Sequence, residues 1–398
     1  MKRITVIGAG TASGMISLSG LDKLKRAGLV IGAARLTEMY ENYIGAEIYS
    51  EYRIDMIKRK IDESEERYIA LLVSGDTGFY SLTEKILEVF DDENYDVEVI
   101  PGISSVSSLS AAVGISWQDA ALCSMHGRDC NIVEYVRRNH STFVLTGGNI
   151  SEVSDRLIKA GYGNLKVYVG SNLDSGEEKI ISTDIAGLAE KTTDKLSLLL
   201  IINDEANEFV AAGMEDEIFA RGDVPMTKSE VRAVIISKLQ IRPEDTCVDI
   251  GAGTGSVTAE MALAAWKGKV YAIERKAEAI ELIKENLNKL HIGNTTVIEG
   301  EAPGCFDSLD EERENIMDAD RVFIGGSGGN IRELIGLWEN AHMVITAIAL
   351  ETLGEATDEL KKRGRFYKVV QINVAKSRKT GELNLMTANN PVNIIYTV

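Results

Sequence analysis

The sequence runs to 398 residues, carries a formal net charge of −18 and is 44% apolar and 26% charged, the proportions of an ordinary globular protein with length for two or three cores. So acidic a chain is not built for broad electrostatic binding to nucleic acid or anionic membranes, which takes clustered Lys and Arg, and an anionic substrate must find a local basic patch. The four cysteines, Cys123, Cys130, Cys247 and Cys305, lack the paired spacing of a zinc site or a secreted disulfide framework, so reduced thiols and no metal are expected.

Residues 4–7 read as a strand just after the first methionine, and no apolar run is long enough to span a bilayer. Neither an export signal nor a membrane anchor is expected, and the expected location is the cytoplasm. Helix-like runs at 18–26 and 82–90 then alternate with strand-like runs at 68–73 and 97–100, which is α/β order. Two loops of small residues follow these strands. Residues 74–81 are rich in Ser and Gly, as a loop must be if its backbone is to touch a ligand closely. Pro101 and Gly102 read as a turn that leads into a helix, with Ser104 as its N-cap. A second, smaller α/β unit follows, with strands at 120–124, 143–145, 166–170 and 196–202 and a helix at 153–160.

An acid-rich stretch at 203–223, containing Asp204, Glu205, Glu208, Glu215, Asp216 and Glu217, is the linker candidate. The expected division is a first domain at 1–205, a linker at 206–224 and a second domain at 225–398. The second domain opens on an amphipathic helix at 227–239 with Thr227 as its N-cap. Strand-like runs at 369–374, 383–387 and 392–397 close it, read as antiparallel additions to a mostly parallel sheet.

The strongest local signal lies inside that domain. The apolar run 247–250 ends in Gly251, Ala252, Gly253, Thr254 and Gly255; a helix at 257–266 and a strand at 269–273 follow, with Glu274 at the strand's end. This is a βαβ unit, in which a ligand sits at the carboxyl ends of the strands and an acid about 20 residues past the glycines grips ribose hydroxyls. The spacing is G-x-G-x-G rather than the G-x-G-x-x-G that sets a helix amino terminus against a pyrophosphate. An adenosyl nucleoside, S-adenosylmethionine, is therefore favoured over NAD. Asp249 on the first strand strengthens that reading.

Several motifs carry a family resemblance. Gly8, Ala9 and Gly10, the run 74–81, and Pro101 to Ser105 resemble the tetrapyrrole methylase family over residues 1 to about 205. Pro225 to Lys228, the glycine loop, residues 271–275, Glu299 to Pro303 and the run Gly325, Gly326, Ser327, Gly328, Gly329 resemble its companion methyltransferase of class I fold. Together the halves are similar to the bifunctional, decarboxylating precorrin methyltransferases of corrin-ring synthesis. The resemblance implies a two-lobed tetrapyrrole methylase fold followed by a Rossmann-like class I domain, one S-adenosylmethionine site in each half, and a homo-oligomer. The implied reaction is methylation of carbons 5 and 15 of precorrin-6B or cobalt-precorrin-6B, with loss of carbon dioxide from the ring C acetate.

Carried over residue by residue, the resemblance makes Gly8, Gly75, Asp76, Gly78, Phe79, Ile103, Ser104 and Ser105 cofactor contacts of the first half. In the second half the cofactor contacts are Thr227, Gly251, Ala252, Gly253, Thr254, Gly255, Glu274 and Ala302. Arg128, Gly325, Gly326, Ser327, Lys376 and Arg378 are candidates for substrate binding, the basic ones because the substrate carries many carboxylates. No residue is singled out as an acid or base, because a conjugated macrocycle supplies its own nucleophilic carbon. The sequence departs from the family at three places. Thr11, Ala12, Ser13 and Gly14 stand where Pro, Gly and Asp usually follow Gly10, Thr77 stands in place of a proline, and Thr346 in place of an asparagine. Other readings are a class I methyltransferase acting on RNA or protein, a non-catalytic binding protein for the cofactor or a tetrapyrrole, and an NAD oxidoreductase. The acidity and the lack of interleaved basic and aromatic residues weigh against RNA.

Overall fold

A computed structural model describes residues 1–126, 130–148, 150–188, 197–207 and 212–398. The chain divides into two compact units, Met1–Asn207 and Glu208–Val398. Among the described residues no helix is long and apolar enough to cross a membrane.

The first unit begins with β1 (Lys2–Gly8), α1 (Leu18–Arg26), β2 (Leu29–Gly32), α2 (Ala34–Met39), β3 (Glu47–Ser50), α3 (Ile54–Glu63), β4 (Tyr68–Val73), α4 (Thr83–Val89) and β5 (Tyr95–Ile100). These strands form a parallel sheet in the order β3-β2-β4-β1-β5. Apolar side chains of α1 and α2 (Leu24, Leu36), with Tyr40 just after α2, pack on one face and those of α3 and α4 (Ile57, Ile61, Ile86) on the other. The chain therefore leaves β1 and β4, which are neighbours, toward opposite faces, and a crevice opens at their carboxyl ends.

The unit continues with α5 (Ser105–Val113), β6 (Ala121–Ser124), α6 (Ile132–Arg138), β7 (Ser141–Leu145), α7 (Ile150–Lys159), β8 (Lys166–Ser171), β9 (Lys179–Asp184), α8 (Ile185–Leu188) and β10 (Ser197–Ile202). Its second sheet, β6-β7-β10-β8-β9, is antiparallel except for the β6–β7 pair. The mixed α/β architecture read from the sequence thus forms. Strands β2, β3 and β9 are not among the runs expected from the sequence: β3 and β9 lie at sheet edges, where most side chains face solvent and no apolar run is required, whereas β2 is an interior strand, fully buried but only four residues long.

The second unit contains α9 (Ser229–Leu239), β11 (Thr246–Ile250), α10 (Ser256–Ala264), β12 (Lys269–Glu274), α11 (Ala277–Lys289), β13 (Thr295–Glu299), α12 (Glu311–Met317), β14 (Arg321–Ile324), α13 (Ile331–Leu337), β15 (His342–Ala347) and α14 (Leu350–Lys362). Four strands complete it: β16 (Tyr367–Ile372), β17 (Ala375–Thr380), β18 (Leu383–Ala388) and β19 (Val392–Thr397). A seven-stranded sheet runs β13-β12-β11-β14-β15-β19-β16, with the first five strands parallel. Helices α9 and α10 cover one face through Val231, Ile235, Val257 and Met261, while α13 covers the other through Ile331 and Leu334. The reversal of strand order between β11 and β14 opens the second crevice.

Three sequence expectations are corrected here. The run 383–387 does not join the main sheet: as β18 it pairs only with β17, in a separate two-stranded hairpin. Its leucines and Met386 are exposed, so its alternation marks a ribbon without a core. Thr227 is not the N-cap of α9; Lys228 holds that position without a side-chain hydrogen bond. The capping oxygen is Asp216 Oδ1, which accepts the Ser229 N–H at 3.0 Å. The stretch read as a linker is, where described, stitched to the second unit. Gly213 and Met214 donate their N–H groups to Glu260 at 2.7 and 2.9 Å, and Ala220 donates its N–H to Asn286 Oδ1 at 2.7 Å.

Candidate active site

Apolar strands β11 and β14 run fully buried to the switch point, so the chain must turn sharply at their ends. Gly251 makes that turn with φ +74°, and a Cβ on it would lie 2.7 Å from the Gly326 carbonyl oxygen. Only glycine permits this approach of the two loops. Around them lies a cleft of about 670 Å³, within the usual range for a cofactor-sized ligand. Its walls bring together Thr227, Gly251, Ala252, Gly253, Thr254, Glu274, Ala302, Gly325, Gly326 and Ser327. Gly255 does not face it. That glycine, at φ +74°, turns the chain into α10, and its missing side chain makes room for Ile283.

Glu274 is the best-fixed acid of the cleft. Its Oε2 accepts the Gly253 N–H at 2.9 Å, and its Oε1 accepts those of Arg275 and Lys276 at 2.9 and 3.0 Å. A carboxylate offers about four acceptor positions, so one is left for a hydroxyl in the cleft. Asp249 lies deeper. Thr258 Oγ1 donates to its Oδ2 at 2.6 Å, whereas its buried Oδ1 and the buried Oγ1 of Thr254 meet no partner among the described residues. Complete burial, with the charge of Glu274 adding to it, pushes the Asp249 carboxyl up to about 7. A glycine cradle, an acid with room for a ribose hydroxyl and two orphaned buried oxygens together fit an adenosyl cofactor.

The wall formed by Val224 to Lys228 contains the predicted Thr227 and its motif, whereas no site role is read from the sequence for Lys276, which with Arg275 lines another wall, or for Asn389 and Asn390, which reach the cleft from the end of β18. No local pattern marks the asparagines, since it is tertiary folding that returns the hairpin to the cleft. The basic candidates on that hairpin do not line the cleft. Lys376 lies on β17, and its ammonium is bonded to Glu230 at 2.8 Å and to Ser229 Oγ at 3.2 Å. Arg378 is exposed on the same strand.

In the first unit, the loops that leave β1, β4 and β5 converge. A Cβ on Gly8 would lie 2.4 Å from the Gly102 nitrogen and 2.9 Å from the Gly75 oxygen. Gly10 and Gly75 exchange two backbone hydrogen bonds of 3.1 Å. Asp76 ties the loops together, its Oδ1 accepting the Gly78 N–H at 2.8 Å and its Oδ2 the Gly102 N–H at 3.3 Å. Ser104 caps α5 by accepting the Val106 N–H at 3.2 Å, Ser105 begins that helix, and Ile103 is exposed beside them. Phe79 packs partly buried against Val106 and Leu109, so much of its ring serves the core. The Thr11 hydroxyl donates to Asp174, which brings a carboxylate to the loop that lacks one of its own. Arg128 lies outside the described residues.

Residues 3–189 match the model of the tetrapyrrole (corrin/porphyrin) methylases, and residues 217–398 match the precorrin methyltransferase domain. The chain is 39% identical over 191 residues to the probable cobalt-precorrin-6B C(15)-methyltransferase (decarboxylating) of Sulfurisphaera tokodaii, an alignment that takes 46% of this chain and 96% of that one. It is 38% identical over 196 residues to the protein of the same description from Saccharolobus solfataricus, covering 47% and 96%. The chain belongs to the precorrin methyltransferase family. As a precorrin methyltransferase it is an S-adenosylmethionine-dependent C-methyltransferase. A crystal structure described as precorrin-6Y C5,15-methyltransferase from Geobacter metallireducens is 37% identical, covering 47% of this chain and 95% of that one with a TM-score of 0.42.

Proposed function

We propose that this precorrin methyltransferase methylates carbons 5 and 15 of a precorrin-6B type macrocycle, cobalt-free or cobalt-bound, and decarboxylates its ring C acetate, the carboxyl leaving as carbon dioxide and the remaining carbon taking a proton to become a methyl group, each unit holding its own S-adenosylmethionine. The observation that carries the reading is the second unit's cleft, where the Gly251 cradle, Glu274 and Thr254 meet, with Asp249 buried behind them, in a chain that aligns over 191 residues with a relative described as a decarboxylating C(15)-methyltransferase. We assign carbon 15 and the decarboxylation to that unit. The convergence of Gly8, Gly75 and Gly102, tied by Asp76, supports a second cofactor site, and with carbon 15 given to the second unit we assign carbon 5 to the first.

The bound cofactor supplies an electrophilic methyl group, and the macrocycle supplies the attacking carbon. The protein's task is therefore to align the two in a dry cleft, an effect worth roughly 7–11 kcal/mol of barrier. Glu274 fixes the ribose end, while the walls at Val224–Lys228 and at Thr346–Ala349 bound the space left for the macrocycle. Lys228, with Arg275 and Lys276, supplies the cleft with cations for a substrate carboxylate; its ammonium lies 3.5 Å from Asp216 Oδ2 and its side chain is 39% exposed. The family's expected homo-oligomer and cytoplasmic location belong to this proposal. Mass spectrometry of the product made from labelled S-adenosylmethionine and a precorrin-6B substrate tests it. A gain of two methyl groups with loss of carbon dioxide is expected, whereas no methylation of either the metal-free or the cobalt-bound substrate overturns the reading.

A further inference from the structure

Arg232 sits on α9 with no exposed surface, and its hydrogen bonds run to Glu260 on α10 and to the segment before α9. Its Nε donates to Glu260 Oε1 at 2.6 Å and its Nη1 to Asp216 Oδ1 at 3.4 Å; Nη1 also donates to the Thr227 carbonyl and Nη2 to that of Met214. The guanidinium lies 4.8 Å from the centre of the Phe219 ring. Glu260, equally buried on α10, in turn receives the N–H groups of Gly213 and Met214. Asp216 caps α9 and draws in Lys228 at 3.5 Å. Two cations and two carboxylates thus close an almost buried network around residues 213–228.

Such a network is no better for stability than well-packed apolar residues, since desolvation cancels most of the attraction. What it fixes is geometry. The strap it holds passes over the glycine loop, where a Cβ on Gly253 would lie 3.2 Å from the Pro225 carbonyl oxygen, and delivers Val224, Pro225, Met226, Thr227 and Lys228 to the cleft wall. We propose that Arg232 is a positioning residue of the cofactor cleft, which through Glu260 and Asp216 locks the strap 213–228 against the glycine loop. This rests on the reading of that cleft as the cofactor's. Arg232 touches neither cofactor nor substrate. Its effect falls on binding in ground and transition states alike, and so on KM rather than on kcat.

The test uses the full chain and S-adenosylhomocysteine. Affinity at this cleft is read from the concentration dependence of hydrogen-exchange protection across residues 249–256, which keeps it apart from any binding in the first unit. Arg232→Lys keeps the charge and loses the fork of donors. It is expected to weaken that affinity at least tenfold, to speed exchange in the strap, and to raise KM for S-adenosylmethionine by a similar factor with kcat within about threefold. A role confined to stability lowers the melting temperature and leaves the affinity of the folded protein within twofold of wild type; that result overturns the proposal. Asp216→Asn, which leaves Arg232 and Glu260 paired, is run beside it. If Arg232→Lys does not fold, an unchanged affinity in Asp216→Asn overturns the proposal and a tenfold loss supports it. Absence of protection in the wild type overturns the cleft assignment, and this inference with it.

Discussion

Glu274 Oε2 accepts the Gly253 N–H at 2.9 Å, joining the end of β12 to the glycine loop that leaves β11. The same carboxylate receives the N–H groups of Arg275 and Lys276, so it shapes both the loop and the start of α11 before any ligand arrives. Glu274→Gln keeps the volume but offers one acceptor oxygen instead of two and removes the charge. Charge-assisted hydrogen bonds contribute about 1.5–3 kcal/mol, so S-adenosylhomocysteine affinity at this cleft is expected to fall about 10- to 100-fold. Titration calorimetry alongside circular dichroism checks this; unchanged affinity would remove Glu274 from the site.

Asp249 gives the protein a pH dependence with a definite sign. Burial lifts its carboxyl from an ordinary 3.8 to about 7, so the folded chain holds this proton more tightly than the unfolded chain. The stabilisation from that group is complete below about pH 4 and is lost as pH rises toward 7. Asp249→Asn cannot titrate. Relative to wild type it is expected to gain stability between pH 5 and pH 8, by on the order of a few kcal/mol. Urea melts of the cofactor-free protein at the two pH values measure the difference, and parallel slopes in both proteins refute the expectation.

The parts of the second cleft that could be read from sequence are those made by neighbours in the chain. Strand β11, the glycine turn, α10 and β12 follow one another without interruption, and fully buried parallel strands announce themselves as apolar runs. Asp216 and Ser229 lie 13 residues apart, Arg232 and Glu260 lie 28 apart, and only the folded chain pairs them. An arginine beside Val231 and a glutamate beside Met261 interrupt apolar helix faces, and that interruption was the available signal. The Thr227 cap failed for the same reason: Ser, Thr and Asp cap helices locally by preference, but here a distant carboxylate took the position. The β17–β18 hairpin misled because alternation reports a pleated strand and is silent about which sheet receives it.

The first unit's loop convergence predicts a separable defect. A Cβ on Gly102 would lie 2.3 Å from the Gly75 oxygen and 2.6 Å from the Gly8 oxygen, both backbone atoms that cannot rotate away. Gly102→Ala is therefore expected to push these loops apart, costing roughly 1–3 kcal/mol, and to abolish methyl transfer by this unit alone. Product mass spectra should then show one added methyl with loss of carbon dioxide. Retention of both methylations would mean that the loops carry no cofactor.

The basic residues of the β17–β18 hairpin make the converse case. Lys376 is already paired: its ammonium lies 2.8 Å from Glu230, whose hydrogen bond raises its proton affinity above that of a free lysine, and 3.2 Å from Ser229 Oγ. A half-exposed pair of this kind contributes about 0–1 kcal/mol, and neither Lys376 nor Arg378 lines the cleft. Lys376→Ala and Arg378→Ala are accordingly expected to leave KM for the macrocycle within about twofold, whereas Lys228→Ala, at the cleft wall, should raise it about tenfold through loss of one charge-assisted bond. Steady-state kinetics on the three variants decides between these positions. A tenfold rise in KM for Lys376→Ala with none for Lys228→Ala would transfer carboxylate recognition from the strap to the hairpin.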